Sequence, residues 1–196
     1  GFINEICFET YQKILAEAIE ELKENDFKEL YLEENTKKKF VKETVIDTDF
    51  ELLFPDNYVN SITERYNLYT RLGEIGNEDD LQQYETDLKD RFGELPTPAK
   101  DLLDSVRIKW IAGQMGLERI VMKQNKFVGY FIADQNSSFY LSPTFQKILE
   151  FVQHTAGVQL KEKETKNGLR LLLSIDKMNN IPEIINVLRP FRELKV

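Results

Sequence analysis

The chain has 196 residues, of which 41% are hydrophobic and 31% charged, and a formal net charge of −8; this is long enough to bury a core and too apolar for a disordered segment. No apolar run is long enough to span a bilayer and no basic start precedes a long apolar stretch, so neither a membrane span nor a secretory leader is expected. Residues 1–104 hold 26 acids against 12 bases (−14) and residues 105–196 hold 8 against 14 (+6), so the acidic half argues against a DNA-binding role, which needs clustered cations.

Phe8, Tyr11, Ile14, Leu15, Ala18, Ile19 and Leu22 recur at helical spacing and predict an amphipathic helix over 9–24, with Glu17, Glu20, Glu21 and Glu24 outside. Residues 25–42, with Lys37-Lys-Lys39, read as a charged link, and residues 1–42 as a connector from a preceding module; the start without Met suggests a piece of something larger. The lone Cys7 fits a reducing cytoplasm. Residues 43–196 are expected to form the main unit, a helical part followed from 117 by a sheet with helices. Thr44 to Phe54 alternates and is β-branched, which predicts a strand.

Ser61 or Thr63 caps a helix whose apolar face is read as Ile62, Tyr66, Tyr69 and Leu72. Asn77 caps the next, in which Leu81, Tyr84, Leu88 and Phe92 form one stripe and Asp80, Gln83, Asp87 and Asp90 the opposite, acidic side. Gly93 and Pro96 stop it, and Thr97 caps a third helix with Pro98 at its first position and Leu102, Leu103, Val106, Trp110 and Ile111 inward. After Gly116 the period changes. Leu117–Lys123 and Phe127–Ala133 predict a hairpin across Gln124-Asn125-Lys126, Phe139–Leu141 a short third strand, and Ser142-Pro143 a helix start. Val158–Lys163 and Leu169–Ile175 predict a second hairpin across Thr165-Lys-Asn-Gly168, followed by a helix from Ile181 to Phe191. The fold class is α+β: a helical half plus a small antiparallel sheet covered by helices on one face.

No catalytic constellation is visible. There is no glycine-rich phosphate loop, the single His154 and Cys7 are far apart in sequence, and Asp87 and Asp90 on an open helix face have nothing to separate their pKa values. His154 reads as a helix-terminus residue, Trp110 and the Tyr66/Tyr69 pair as core, and Lys161, Lys163 and Lys166 as a solvated hairpin edge. Glu78, Asp79 and Asp80 suit the dipole at a helix start, whereas Asp87 and Asp90 sit at the end that disfavours carboxylates. Two readings of that pair stay open: a solvated face, or a surface for a partner presenting Arg.

Three motifs, Asp56-Asn-Tyr-Val-Asn-Ser61, Arg65-Tyr-Asn-Leu-Tyr-Thr-Arg-Leu72 and Asp87-Leu-Lys-Asp-Arg-Phe-Gly-Glu-Leu-Pro-Thr-Pro98, resemble the C-terminal domain of the bacterial transcription-repair coupling factor family, Mfd. The resemblance covers residues 61–116 and extends to Phe8-Glu-Thr-Tyr-Gln-Lys-Ile-Leu15, with Asn57, Asn60, Tyr66, Thr70 and Asp87 departing from the family pattern and Cys7 replacing a glycine. It implies a regulatory domain that is not itself an enzyme, in the bacterial cytoplasm. Its partner would be the UvrB-like N-terminal module of the same protein, with Asp87, Asp90 and Arg91 in the contact and Asp80 and Gln83 beside them. Docking would mask UvrA recruitment and restrain an ATP-driven translocase until stalled RNA polymerase is engaged. The resemblance further implies no cofactor in this segment, with ATP and Mg²⁺ held by the parent, no membrane partner and no direct nucleic-acid binding. The alternatives are an acidic or DNA-mimicking module that binds a basic partner in trans, and a structural spacer.

Overall fold

The computed structural model describes residues 40–192. The helix read over 9–24 and most of the link lie outside them. Among the described residues the order is β1 (Val45–Thr48), α1 (Ile62–Glu74), α2 (Glu78–Phe92), α3 (Thr97–Gln114), β2 (Leu117–Lys123), β3 (Lys126–Phe131), a 3-10 turn (Ser138–Leu141), α4 (Pro143–His154), β4 (Val158–Thr165), β5 (Gly168–Asp176) and α5 (Ile181–Arg192). The fold is α+β.

The five strands lie in the order β1-β2-β3-β5-β4. β2-β3, β3-β5 and β5-β4 are antiparallel, while β1 joins β2 in parallel, so the sheet is mixed. β1 is shorter than the alternation of 44–54 implies. Thr48 Oγ1 accepts the Phe50 N–H at 3.0 Å and donates to the Met122 carbonyl at 3.0 Å, so a side chain takes over from the ladder and bends the chain away. The β2-β3 hairpin closes on Gln124 and Asn125, both at positive φ (52° and 58°) as a tight hairpin turn demands.

Side chains alternate across the sheet. Ile120, Met122, Phe127, Phe131, Leu171, Leu173 and Ile175 point to one face, where Ile108, Ile111 and Ala112 of α3, Phe145 and Ile148 of α4, and Ile184, Leu188 and Phe191 of α5 cover them. Phe131, Phe139, Tyr140 and Phe145 meet largely edge-on at centroid distances of 5.1–6.1 Å. Phe139 lies in the 3-10 turn, not in a strand, and its ring covers Gly116, where φ is +74° and an added Cβ would lie 2.3 Å from a ring carbon.

A second core sits under α1 and α2. Phe54, Val59, Leu68, Leu72, Leu81, Tyr84, Leu88, Leu95, Ala99 and Leu103 close around one another, so α3 feeds this core from its first half and the sheet core from its second. Trp110 is half-buried against it. α1 is rotated relative to the face read from its sequence. Leu68 and Leu72 point inward, while Ile62 is 76% and Tyr66 70% exposed. Tyr69 lies between, with its hydroxyl accepting the Phe54 N–H at 2.8 Å and its ring 5.0 Å from that of Phe54. The tyrosines therefore are not buried core: Leu68 fills the space against Tyr84, which donates its hydroxyl to the Leu68 carbonyl at 2.8 Å.

Candidate functional site: the acidic face of helix α2

α2 starts where Asn77 accepts the Asp80 N–H at 2.9 Å. It ends at Gly93, whose φ of 85° suits a residue without a Cβ and whose carbonyl accepts the Tyr58 hydroxyl at 2.9 Å. α3 begins one residue earlier than read, with Pro96 in the cap position and no side-chain cap, so Thr97 is its first residue. Between these ends Leu81, Tyr84 and Leu88 are buried. Asp80, Gln83, Asp87 and Asp90 fall on one continuous strip that looks past α1 into solvent.

The strip is not uniform. Asp87 Oδ2 accepts from Arg71 Nη2 of α1 at 2.6 Å, and its Oδ1 accepts from Gln83 at 2.9 Å. These hydrogen bonds, Arg71 first, hold its carboxyl below the ordinary aspartate value. Asp80 accepts from Asn77 Nδ2 at 2.7 Å. Arg91 pairs with Glu64 of α1, and its guanidinium lies 4.9 Å over the Phe92 ring. Asp90 is exposed and has no side-chain partner among the described residues. Five residues expected at the site thus share one surface: Asp87 and Arg91 are tied to α1, Asp80 and Gln83 are held within α2 and its cap, and Asp90 is free.

Arg107 of α3, on the opposite flank of α2, is absent from the sequence reading. Its guanidinium reaches Glu78 at 2.9 Å and Asp104 at 2.7 Å, with its side chain only 12% exposed. For Glu78, burial acts upward; the hydrogen bonds from Arg107 and Gln82 and the charges of Arg107 and Arg192 together outweigh it and leave the carboxyl low. Glu78 and Glu85 lie two turns apart on one face of α2, but Glu78 also suits the dipole at the helix start, which masks its pairing with Arg107 in the sequence. His154 ends α4, its Nδ1 2.8 Å from the Glu150 carbonyl. Among the described residues no helix is long and apolar enough to cross a membrane.

Residues 48–141 match the family model of the TRCF domain. This segment is similar to the TRCF domain. A transcription-repair-coupling factor of Rickettsia prowazekii is 29% identical over 99% of this chain, which covers 16% of that protein. The one of Escherichia coli K12 is 30% identical over 61% of this chain and 10% of its own length. The chain thus spans about a sixth or less of the curated relatives named here. A crystal structure of the C-terminal domain of a transcription-repair coupling factor shares the fold, with a TM-score of 0.60 and 22% identity over 78% of this chain and 91% of that one. The resemblance carried by the three sequence motifs is therefore matched in sequence over residues 48–141, and the fold is shared with that C-terminal domain.

Proposed function

We propose that this chain is the regulatory, autoinhibitory end of a transcription-repair coupling factor, and that the acidic face of α2 docks on the basic UvrB-like N-terminal module of the same protein. Docking covers the surface that recruits UvrA and restrains the parent's motor, in which ATP and Mg²⁺ reside. Engagement of stalled RNA polymerase on DNA then releases the domain. The observation that carries this reading is Asp90, an exposed carboxylate with no side-chain partner, beside Asp87 on the same strip.

The two acids have different tasks. Asp90 is free to accept a partner's guanidinium in a two-pronged contact. Asp87 already spends both oxygens on Arg71 and Gln83, so it orients Arg71 and adds negative potential to the strip. Exposed ion pairs are each worth about 0.2–1 kcal/mol and weaken with salt, which suits a latch that a global rearrangement must open.

The test is a titration of the chain against the UvrB-like module, wild type beside Asp87→Lys/Asp90→Lys, at low and moderate salt. Saturable, salt-sensitive binding that the double reversal abolishes supports the latch. Equal binding by the reversed variant leaves the strip as a solvated face and refutes it.

A further inference from the structure

The sheet face opposite the helices carries Val45 and Asp47 of β1, Arg119, Val121 and Lys123 of β2, Lys126, Val128 and Tyr130 of β3, Arg170, Leu172, Ser174 and Asp176 of β5, and Gln159, Lys161 and Lys163 of β4, as the strand registers require. No helix among the described residues covers it, since α3, α4 and α5 all pack on the other side; Leu172 and Ser174 at its centre are buried, while Arg119, Lys123, Lys126, Lys161 and Lys163 around them are exposed. We propose that this open face binds single-stranded nucleic acid.

The charge argument depends on the pleat. Lys161-Glu-Lys-Glu164 is neutral as a sequence, but an alternating strand sends both lysines to the open face and both glutamates to the other. Six cations, Arg119, Lys123, Lys126, Lys161, Lys163 and Arg170, thereby share one face. Asp47 pairs with Arg119 and Lys123, Glu118 with Arg170, and Asp176 lies 3.6 Å from Lys126. Lys161 and Lys163 have no side-chain partner among the described residues and stand about 7 Å apart, two strand rises. The excess is positive, and the acidic helices lie beyond α3 on the far side of the sheet.

The chemistry of the centre favours a strand with unpaired bases. Tyr130 stands between the guanidinium groups of Arg119 and Arg170, at 5.7 and 5.5 Å from its ring centroid. Guanidinium planes and aromatic rings on an open sheet are the platforms on which unpaired bases stack, while flanking cations follow the phosphates. Around this cluster Val121 and Val128 are half-buried and give an apolar floor. Five strands make the platform about 19 Å wide, and no helix among the described residues stands on it to enter a duplex groove. The ion pairs of Arg119 and Arg170 are partly exposed, so a phosphate can replace their carboxylates. Counting charge along the chain hides this surface because the acidic half outweighs it.

The experiment is fluorescence anisotropy of the 196-residue chain with a labelled oligothymidylate of about 20 nucleotides, across about 50–200 mM salt. A duplex of equal length and a polyglutamate peptide run in parallel. The expected result is saturable binding with a log–log salt slope of about −2 to −3, from three or four neutralised phosphates. Lys161→Glu/Lys163→Glu should weaken it at least about tenfold by removing two of those contacts, with an unchanged melting curve because both side chains are exposed. Asp87→Lys/Asp90→Lys, on the other side of the molecule, should not weaken it. Absence of saturable binding at low salt, equal affinity for the duplex or the peptide, or indifference to the lysine reversal would each overturn the proposal.

Discussion

The sheet half and the α1–α2 corner are held by different means. Under the sheet, Phe127, Phe131, Phe139 and Phe145 are fully buried and pack with aliphatic side chains from three helices. The corner buries Phe54 and Tyr84 among leucines and ties its helices together at the surface through Arg71–Asp87, Glu64–Arg91 and Arg107–Glu78. Apolar packing is indifferent to salt and to moderate pH changes, whereas ion pairs respond to both. The corner's carboxylates therefore divide into those paired with a side chain, Glu64, Glu78 and Asp87 among them, and exposed ones with no side-chain partner among the described residues, Asp79 and Asp90 on α2.

The strongest test of this contrast is a large-to-small change in each half. Phe127→Ala should cost about 3–5 kcal/mol in urea unfolding, because the cavity lies under a rigid sheet. Arg107→Met should cost less, about 1–2 kcal/mol, since Glu78 is about a third exposed and water screens what remains. The same variant sharpens the pH dependence. Glu78 is held below its ordinary value in the folded chain, so its pair contributes stability above the unfolded glutamate pKa and loses it as pH falls through the folded one. Wild-type stability should decline below about pH 4.5, and Arg107→Met should flatten that decline. Tyr84→Phe removes one buried hydroxyl and should cost about 1 kcal/mol. Tyr66→Ser, at an exposed position, should change stability by less than about 0.5 kcal/mol, which would confirm that α1 does not bury this ring.

Much of this frame could be read in the chain. Ser61, one of the two caps the sequence offers, Asn77 and Ser142 cap their helices, Gly93 takes a positive φ, and both hairpins close where turn residues stand. These are local signals, decided within a few residues. The misreadings involve distant competition. Ile62, Tyr66, Tyr69 and Leu72 have helical spacing, but so do Arg65, Leu68 and Leu72, and which set turns inward depends on Phe54 and Tyr84. β1 joins β2 across some seventy residues, which no local pattern encodes. On α2 the acidic strip itself was legible from spacing. Which acids it keeps free was not, because Arg71 belongs to another helix.

That distinction gives the most direct test of the docking account. The measurement is affinity for the UvrB-like module with Asp90→Asn, a change of charge with almost no change of shape, made beside a melting curve of the same variant. The account predicts affinity lower by about threefold or more, as expected for losing one charge-assisted contact, with an unaltered melting temperature because Asp90 holds nothing in the fold. Undiminished affinity, or a loss that only follows a loss of stability, would contradict it.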